Sequence, residues 1–272
     1  MSSVRLVIPE SCCEGKFLVS HGVQRVDTLN GVVCSATTFM PRRWERGSPR
    51  HIVLADIPHI SSEYRAGTDI AVFRLPQHLI QACEEIGYSR MRTIQDLDVQ
   101  RAANTRGHKH LVAQFRSYLI GELGMSNNDL LDLEITFGEP GLASVSSDET
   151  DGSYVGLHID DWDQLPVPNR DQSRVLFCAN LGSEPRYFMY MDLTINAMAT
   201  RLSGSRGGNY AHLHPDAILT GYLEDFPDEP VFAFKMEPHD VYIAPIQNVV
   251  HEGSTMQTSS PDVQIMFLGY PI

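Results

Sequence analysis

The 272-residue sequence is poor in positive charge. Lys and Arg total 21 against 34 Asp and Glu, a formal net charge of −13 with a pI near 5.2. Non-specific nucleic-acid binding needs a basic face, so no nucleic-acid partner is expected, and the charge argues, less strongly, against an anionic membrane surface. An acidic balance of this kind is ordinary for a dissolved enzyme. No run approaches the ~18 apolar residues of a membrane-spanning helix, and Met1-Ser-Ser-Val-Arg5 lacks the basic-then-apolar pattern of a secretory signal. Cysteine is scarce: Cys12, Cys13, Cys34, Cys83 and Cys178 form neither a CxxC pair nor a disulfide framework. Scattered thiols in a reduced, cytoplasmic setting are the simplest reading. Internal repeats and low-complexity linkers are also missing. With 42% hydrophobic residues the chain can bury a large core, and a single domain over residues 1–272 is expected. Residues 1–129 would supply N-terminal strands and supporting helices, and residues 130–272 a β-rich core.

The pattern along the chain predicts an α+β, mainly β protein. Short strands are expected at Arg5–Ile8, Lys16–Ser20, Gly31–Ser35 and His51–Ala55, with Pro41–Arg50 as a loop. Two helices follow. Pro76–Gly87 opens on Pro and stops at Gly, and His108–Gly124 carries apolar residues near a 3.6 period. From Leu131 onwards strands dominate: Leu131–Phe137, Ser153–Asp160, Arg174–Leu181, Arg186–Leu193, Val231–Met236 and Val241–Pro245. The Gly/Ser-rich stretch Asn196–Asn209 reads as a loop over the site, and His214–Asp225 as a short helix.

The most informative motif is Gly156-Leu-His158-Ile-Asp160, followed far downstream by Val249-Val-His251-Glu-Gly253. Residues i and i+2 of a strand share a face, so His158 and Asp160 can reach one ion from one strand. A late histidine, His251, completes two imidazoles and one carboxylate. That facial set binds non-haem Fe(II) and leaves coordination positions open. His212-x-His214 has the same spacing but lies beside a predicted loop and helix, so it is a weaker ligand pair.

On Gly156-Leu-His158-Ile-Asp160, Pro238-His-Asp240-Val-Tyr-Ile-Ala244 and His251-Glu-Gly-Ser-Thr255, the chain resembles the Fe(II)/2-oxoglutarate-dependent dioxygenase superfamily over about residues 130–272. The resemblance implies a double-stranded β-helix (jelly-roll, cupin-like) core. It also implies Fe(II) on His158, Asp160 and His251, with 2-oxoglutarate and O2 as co-substrates. Members carry a cation for the far carboxylate of 2-oxoglutarate, commonly just after the distal histidine, but no Lys or Arg occurs from Glu252 to Ile272. Other members place it on the strand after His-x-Asp. Arg174, heading an otherwise apolar strand, is the expected anchor there, because a buried guanidinium calls for an anion. Arg201 and Arg206 stand in reserve. With Asp160 present, hydroxylation of an unactivated C–H bond is favoured over halogenation. The expected substrate is a small molecule such as an amino acid or natural-product intermediate. A cupin-like metalloenzyme without 2-oxoglutarate and a jelly-roll ligand-binding protein are the alternatives.

Overall fold

The structure, a computed structural model, describes residues 3–10, 15–35, 37–55, 64–148 and 150–271. Cys12 and Cys13 lie outside them. The N-terminal part contains β1 (Arg5–Ile8), β2 (Phe17–Ser20), β3 (Val23–Arg25), β4 (Thr28–Leu29), β5 (Val32–Val33), β6 (Phe39–Pro41), β7 (Glu45–Arg46), β8 (Ile52–Leu54) and β9 (Asp69–Arg74). Helices α1 (Gln77–Ile86), α2 (Ile94–Ala103) and α3 (Thr105–Gly121) follow. The remainder is β10 (Leu131–Gly138), β11 (Val175–Asn180), β12 (Arg186–Thr194), α4 (Ile195–Arg206), α5 (Pro215–Asp225), β13 (Val231–Met236), β14 (Asp240–Ala244), β15 (Val249–Ser254) and β16 (Asp262–Gly269).

Two sheets carry the fold. One has seven strands in the order β10-β16-β11-β14-β9-β1-β8, and the other five in the order β15-β12-β13-β2-β7. Pairing is antiparallel except where β1 meets β8 and β9. The register of side chains explains the layering. Leu176 and Cys178 of β11 meet Phe188 and Tyr190 of β12, Phe232 and Phe234 of β13 and Tyr242 of β14 between the sheets. The alternate residues Val175, Phe177 and Ala179 face the other way, onto Leu79 of α1 and Leu111 and Phe115 of α3. Behind the second sheet, Met189 and Met191 of β12 pack on Met198 of α4 and Ile218 and Tyr222 of α5. Each sheet is thus covered on its outer face by helices, which is why β11 and β12 read as apolar on both faces.

Helix α1 ends as its sequence predicts: Gly87 adopts φ 83° and its N–H reaches the Cys83 carbonyl. Several elements differ from expectation. Asn196–Asn209 is not a loop, since α4 fills most of it. The Thr194 side chain accepts from the Ala197 N–H, and Ile195, Ala197, Met198, Ala199 and Leu202 are buried. The hydroxyl of Ser203 bonds back to the Ala199 carbonyl at 2.8 Å, so a residue that signals a loop is accommodated on the helix. Helix α2 starts with a capping box, Thr93 with Asp96, and buries only Leu97, which gave it little periodicity. Within Pro41–Arg50, Glu45–Arg46 pairs with β2 as an edge strand. No helix among the described residues is long and apolar enough to cross a membrane.

Candidate metal centre

The His-x-Asp segment is not the continuous strand its sequence predicts. Residues 154–158 make isolated bridges: Tyr154 with Ser147, Gly156 with Phe39, and His158 with His251. Gly156 is the reason. It sits at φ +67°, and a Cβ there would lie 2.6 Å from the Phe39 carbonyl, so only glycine lets the chain cross from β6 to β15. Beyond it the segment is tied to the strand that carries the distal histidine. His158 and His251 exchange backbone bonds at 3.1 and 3.0 Å, and the Asp160 N–H donates to the Ile246 carbonyl at 3.1 Å.

This pairing gathers the three expected ligands. His158 Nε2 lies 3.6 Å from Asp160 Oδ1, and His251 Nε2 lies 3.9 Å from Asp160 Oδ2. One ligand atom from each falls within 4.8 Å of the others. The far side of each ring is held. His158 Nδ1 donates to the Gly156 carbonyl at 2.8 Å, and His251 Nδ1 to the Val249 carbonyl at 3.2 Å. Both Nε2 lone pairs are thereby aimed at the shared point, an arrangement typical of metal-ligating histidines.

The electrostatics favour positive charge at that point. Burial works against a proton on His158, but the Glu252 and Asp160 carboxylates outweigh it and push its pKa up to about 9. Burial, and then the neighbouring His158, push His251 down to about 4. Glu252 is fully buried and accepts bonds from the hydroxyls of Ser144 and Ser146 and from the N–H groups of Val145, Ser146 and Gly253. Burial raises its pKa, yet His158 and these donors hold it below the usual carboxylate range. A divalent ion would take the place of the His158 proton.

The three candidate ligands line a cavity of about 500 Å³ together with Thr136, Ser146, Leu176, Arg186, Asp262 and Met266. Arg186, the first residue of β12, is buried at 3% exposure and faces this space from the inner side of the sheet. Its Nη1 lies 3.6 Å from Asp262 Oδ2, while its Nε has no hydrogen-bond partner among the described residues. Burial disfavours the charge, but Asp262 foremost holds its pKa above the ordinary value. Gly253 on β15 leaves room for the guanidinium, since a Cβ there would lie 2.6 Å from Arg186 Nη2.

Arg174 is not brought to this cavity. It is taken by Asp163, with Nη2 2.6 Å and Nε 2.8 Å from Oδ1 and the backbone N–H 2.8 Å from Oδ2. It lines a separate surface recess with Leu130 and Tyr270. The polar exit of the His-x-Asp segment supplies an acid close in sequence, and that acid satisfies the guanidinium. Arg201 and Arg206 on α4 pair with Glu229 and Asp225. His214 caps α5, its Nδ1 accepting from the Asp216 N–H, and does not join the cluster. Sequence reasoning missed Arg186, Glu252 and Gly253. The signal for Arg186 was present: it is the one cation in an apolar strand, on the same register as Phe188 and Tyr190.

No protein-family model matches the chain, and no curated protein matches it. Among solved structures it is similar to the Kdo hydroxylase KdoO, described as a non-heme Fe(II) alphaketoglutarate-dependent dioxygenase. With the complex of KdoO, alphaketoglutarate and Fe(III), identity is 13% over 76% of this chain and 80% of that one, with a TM-score of 0.43. The apo form gives 13% over 80% and 88%, with a TM-score of 0.44. The succinate and Fe(III) complex gives 12% over 76% and 80%, with a TM-score of 0.40.

Proposed function

We propose that this protein is a non-haem Fe(II)- and 2-oxoglutarate-dependent oxygenase that hydroxylates an unactivated C–H bond of a small molecule. The observation that carries the reading is the joint placement of the His158, Asp160 and His251 ligand atoms and a buried, incompletely bonded Arg186 in one cavity. Two imidazoles and one carboxylate on one side of a point suit Fe(II) and leave positions for other ligands. Arg186 replaces Arg174 as the anchor for the far carboxylate of the 2-oxoacid. Its guanidinium lines the cavity and can donate a charge-assisted bond to a carboxylate there, and Gly253 leaves room beside it.

The alternation of strands between the sheets supports a double-stranded β-helix. β10, β11, β14 and β16 lie in one sheet, β12, β13 and β15 in the other, and the His158 segment is bridged to β15. β1, β2 and β9 extend the same two sheets, which favours one domain with residues 1–129 built around the 130–272 core.

When bound, iron with 2-oxoglutarate supplies O2 activation and C–H oxidation. The chain's own part is positional. His158 and His251 present Nε2 because their Nδ1–H groups are engaged, Asp160 supplies the anionic ligand, and Glu252 steadies His158. The outer faces of both sheets are sealed by helices, leaving the cavity to admit a small substrate. Asp160 fills the position that halogenation would need vacated, which favours hydroxylation. The charge of −13 speaks for a small-molecule rather than a nucleic-acid substrate.

Anaerobic titration of apoprotein with Fe(II), then 2-oxoglutarate, tests the reading. A visible metal-to-ligand charge-transfer band is expected, lost in His158→Ala, followed by O2-dependent succinate formation. Failure to bind iron overturns the proposal. Iron binding without any 2-oxoglutarate band removes the 2-oxoacid from it.

A further inference from the structure

Arg170 is an arginine sealed in the interior, 2% exposed, on a 3-10 turn spanning Val167–Gln172. Its Nη1 lies 2.8 Å from the Asp160 carbonyl and 2.8 Å from the Gln247 carbonyl. Nε donates to the Leu165 carbonyl at 3.1 Å, and Nη2 contacts the Asp161 carboxylate. Those carbonyls belong to two different limbs of the centre. Asp160 carries the anionic ligand on a segment outside any strand. Gln247 lies in the turn that feeds β15, which carries His251. One nitrogen therefore bridges the carboxylate limb and the distal-histidine limb.

A buried guanidinium is costly to desolvate, and a buried ion pair is often no more stable than an apolar pair of similar volume in its place, so stability alone does not account for an arginine here. Its rigid fork is what a bridging role needs. The limbs are also tied by the His158–His251 backbone pair, by the Asp160 N–H to the Ile246 carbonyl, and by the Gln247 side chain, which bonds the Asp163 N–H at 2.7 Å and the Asp163 carboxylate at 3.0 Å. Among the described residues, Arg170 adds the one side-chain bridge that holds the Asp160 carbonyl itself. We infer that Arg170 is a positioning residue for the metal centre: it fixes the Asp160 limb against the turn before β15 and so sets where the carboxylate meets the two imidazoles. This rests on the metal-centre reading above.

The test uses the full chain and Co(II) alone as probe, with affinity by calorimetry and ligand field by visible absorption. The variants are Arg170→Met, Arg170→Lys and Leu79→Ala. Leu79 is buried behind the seven-stranded sheet, on the face away from the cavity, so its truncation destabilises the protein without touching the limbs. Arg170→Met is expected to weaken Co(II) binding about 10- to 100-fold, the usual cost of losing an outer support of a metal ligand, and to change the spectrum. Arg170→Lys should fall between it and wild type, since an ammonium cannot reproduce the fork. Leu79→Ala should bind like wild type despite a lower melting temperature. Folded Arg170→Met with wild-type affinity and spectrum overturns the inference, as does an equal loss in Leu79→Ala. If Arg170→Met does not fold, Arg170→Lys decides: weaker binding with an altered spectrum supports the inference, and wild-type behaviour overturns it. If wild type itself binds no Co(II), the metal-centre reading fails and this inference with it.

Discussion

Under the proposed function two arginines compete for the role of co-substrate anchor, and their surroundings predict opposite behaviour. Arg186 lines the cavity, with Nη1 3.6 Å from Asp262 and 3.8 Å from Cys178 Sγ and no Nε partner among the described residues. One charge-assisted bond to the 2-oxoacid carboxylate is worth about 1.5–3 kcal/mol, so its loss should weaken 2-oxoglutarate binding roughly 10- to 150-fold. Arg186→Met alone also strands the buried Asp262 carboxylate, at a cost of about 3–5 kcal/mol. That is a large share of a typical total stability of about 5–15 kcal/mol. The informative variant is therefore Arg186→Met with Asp262→Asn, which removes both charges and leaves an amide oxygen to accept the 2.7 Å bond from Gln264 Nε2. The assay is the anaerobic charge-transfer band followed against 2-oxoglutarate concentration. The double variant should retain iron and lose 2-oxoglutarate affinity by that factor. Arg174→Met should lose the Asp163 pair and some melting temperature but keep its affinity within about twofold, as the change is not at the cavity. Loss of the band in Arg174→Met, with full retention in the double variant, would refute the reassignment.

Two further outcomes follow from the geometry. Gly253→Ala places a Cβ 2.6 Å from Arg186 Nη2 and 2.7 Å from Val145 Cγ2; overpacking of this kind costs about 1–3 kcal/mol and should weaken 2-oxoglutarate binding. Gly204→Ala, with open space beside it on α4, should instead stabilise by about 0.5–1 kcal/mol; a normal 2-oxoglutarate affinity in Gly253→Ala would contradict the close approach. For pH, burial alone would raise the Asp163 pKa, but Arg174 and Gln247 hold it below its ordinary value. A depressed folded-state pKa contributes stability that is fully present above the unfolded value near 4 and is lost as pH falls through the lower folded value. Urea unfolding of wild type and Asp163→Asn should therefore differ at pH 7 and converge below about pH 4, and a pH-independent gap would show that the ion pair is not its source.

What the sequence determined by itself was local and periodic. Two-residue spacing singled out His158 and Asp160 as a pair that could reach one point, and a late His in an apolar run completed the candidate set; the three do converge, although the segment carrying the pair is bridged to β15 rather than a continuous strand. Pro76 and Gly87 bounded α1 for a similarly local reason. Tertiary structure decided what depends on partners outside the element itself. Arg174 and Arg186 both head apolar strands, and nothing in either strand says that Asp163 claims the first while the cavity receives the second. The Gly/Ser signals of residues 196–209 gave way to a helix because α4 had apolar surface to bury against β12 and α5. The Gly156 crossing was invisible as well, since the Phe39 carbonyl that forbids a side chain there comes from β6, more than a hundred residues away. Pattern fixes which way a side chain faces along its own strand; only the packed sheets decide which charge waits on the other side.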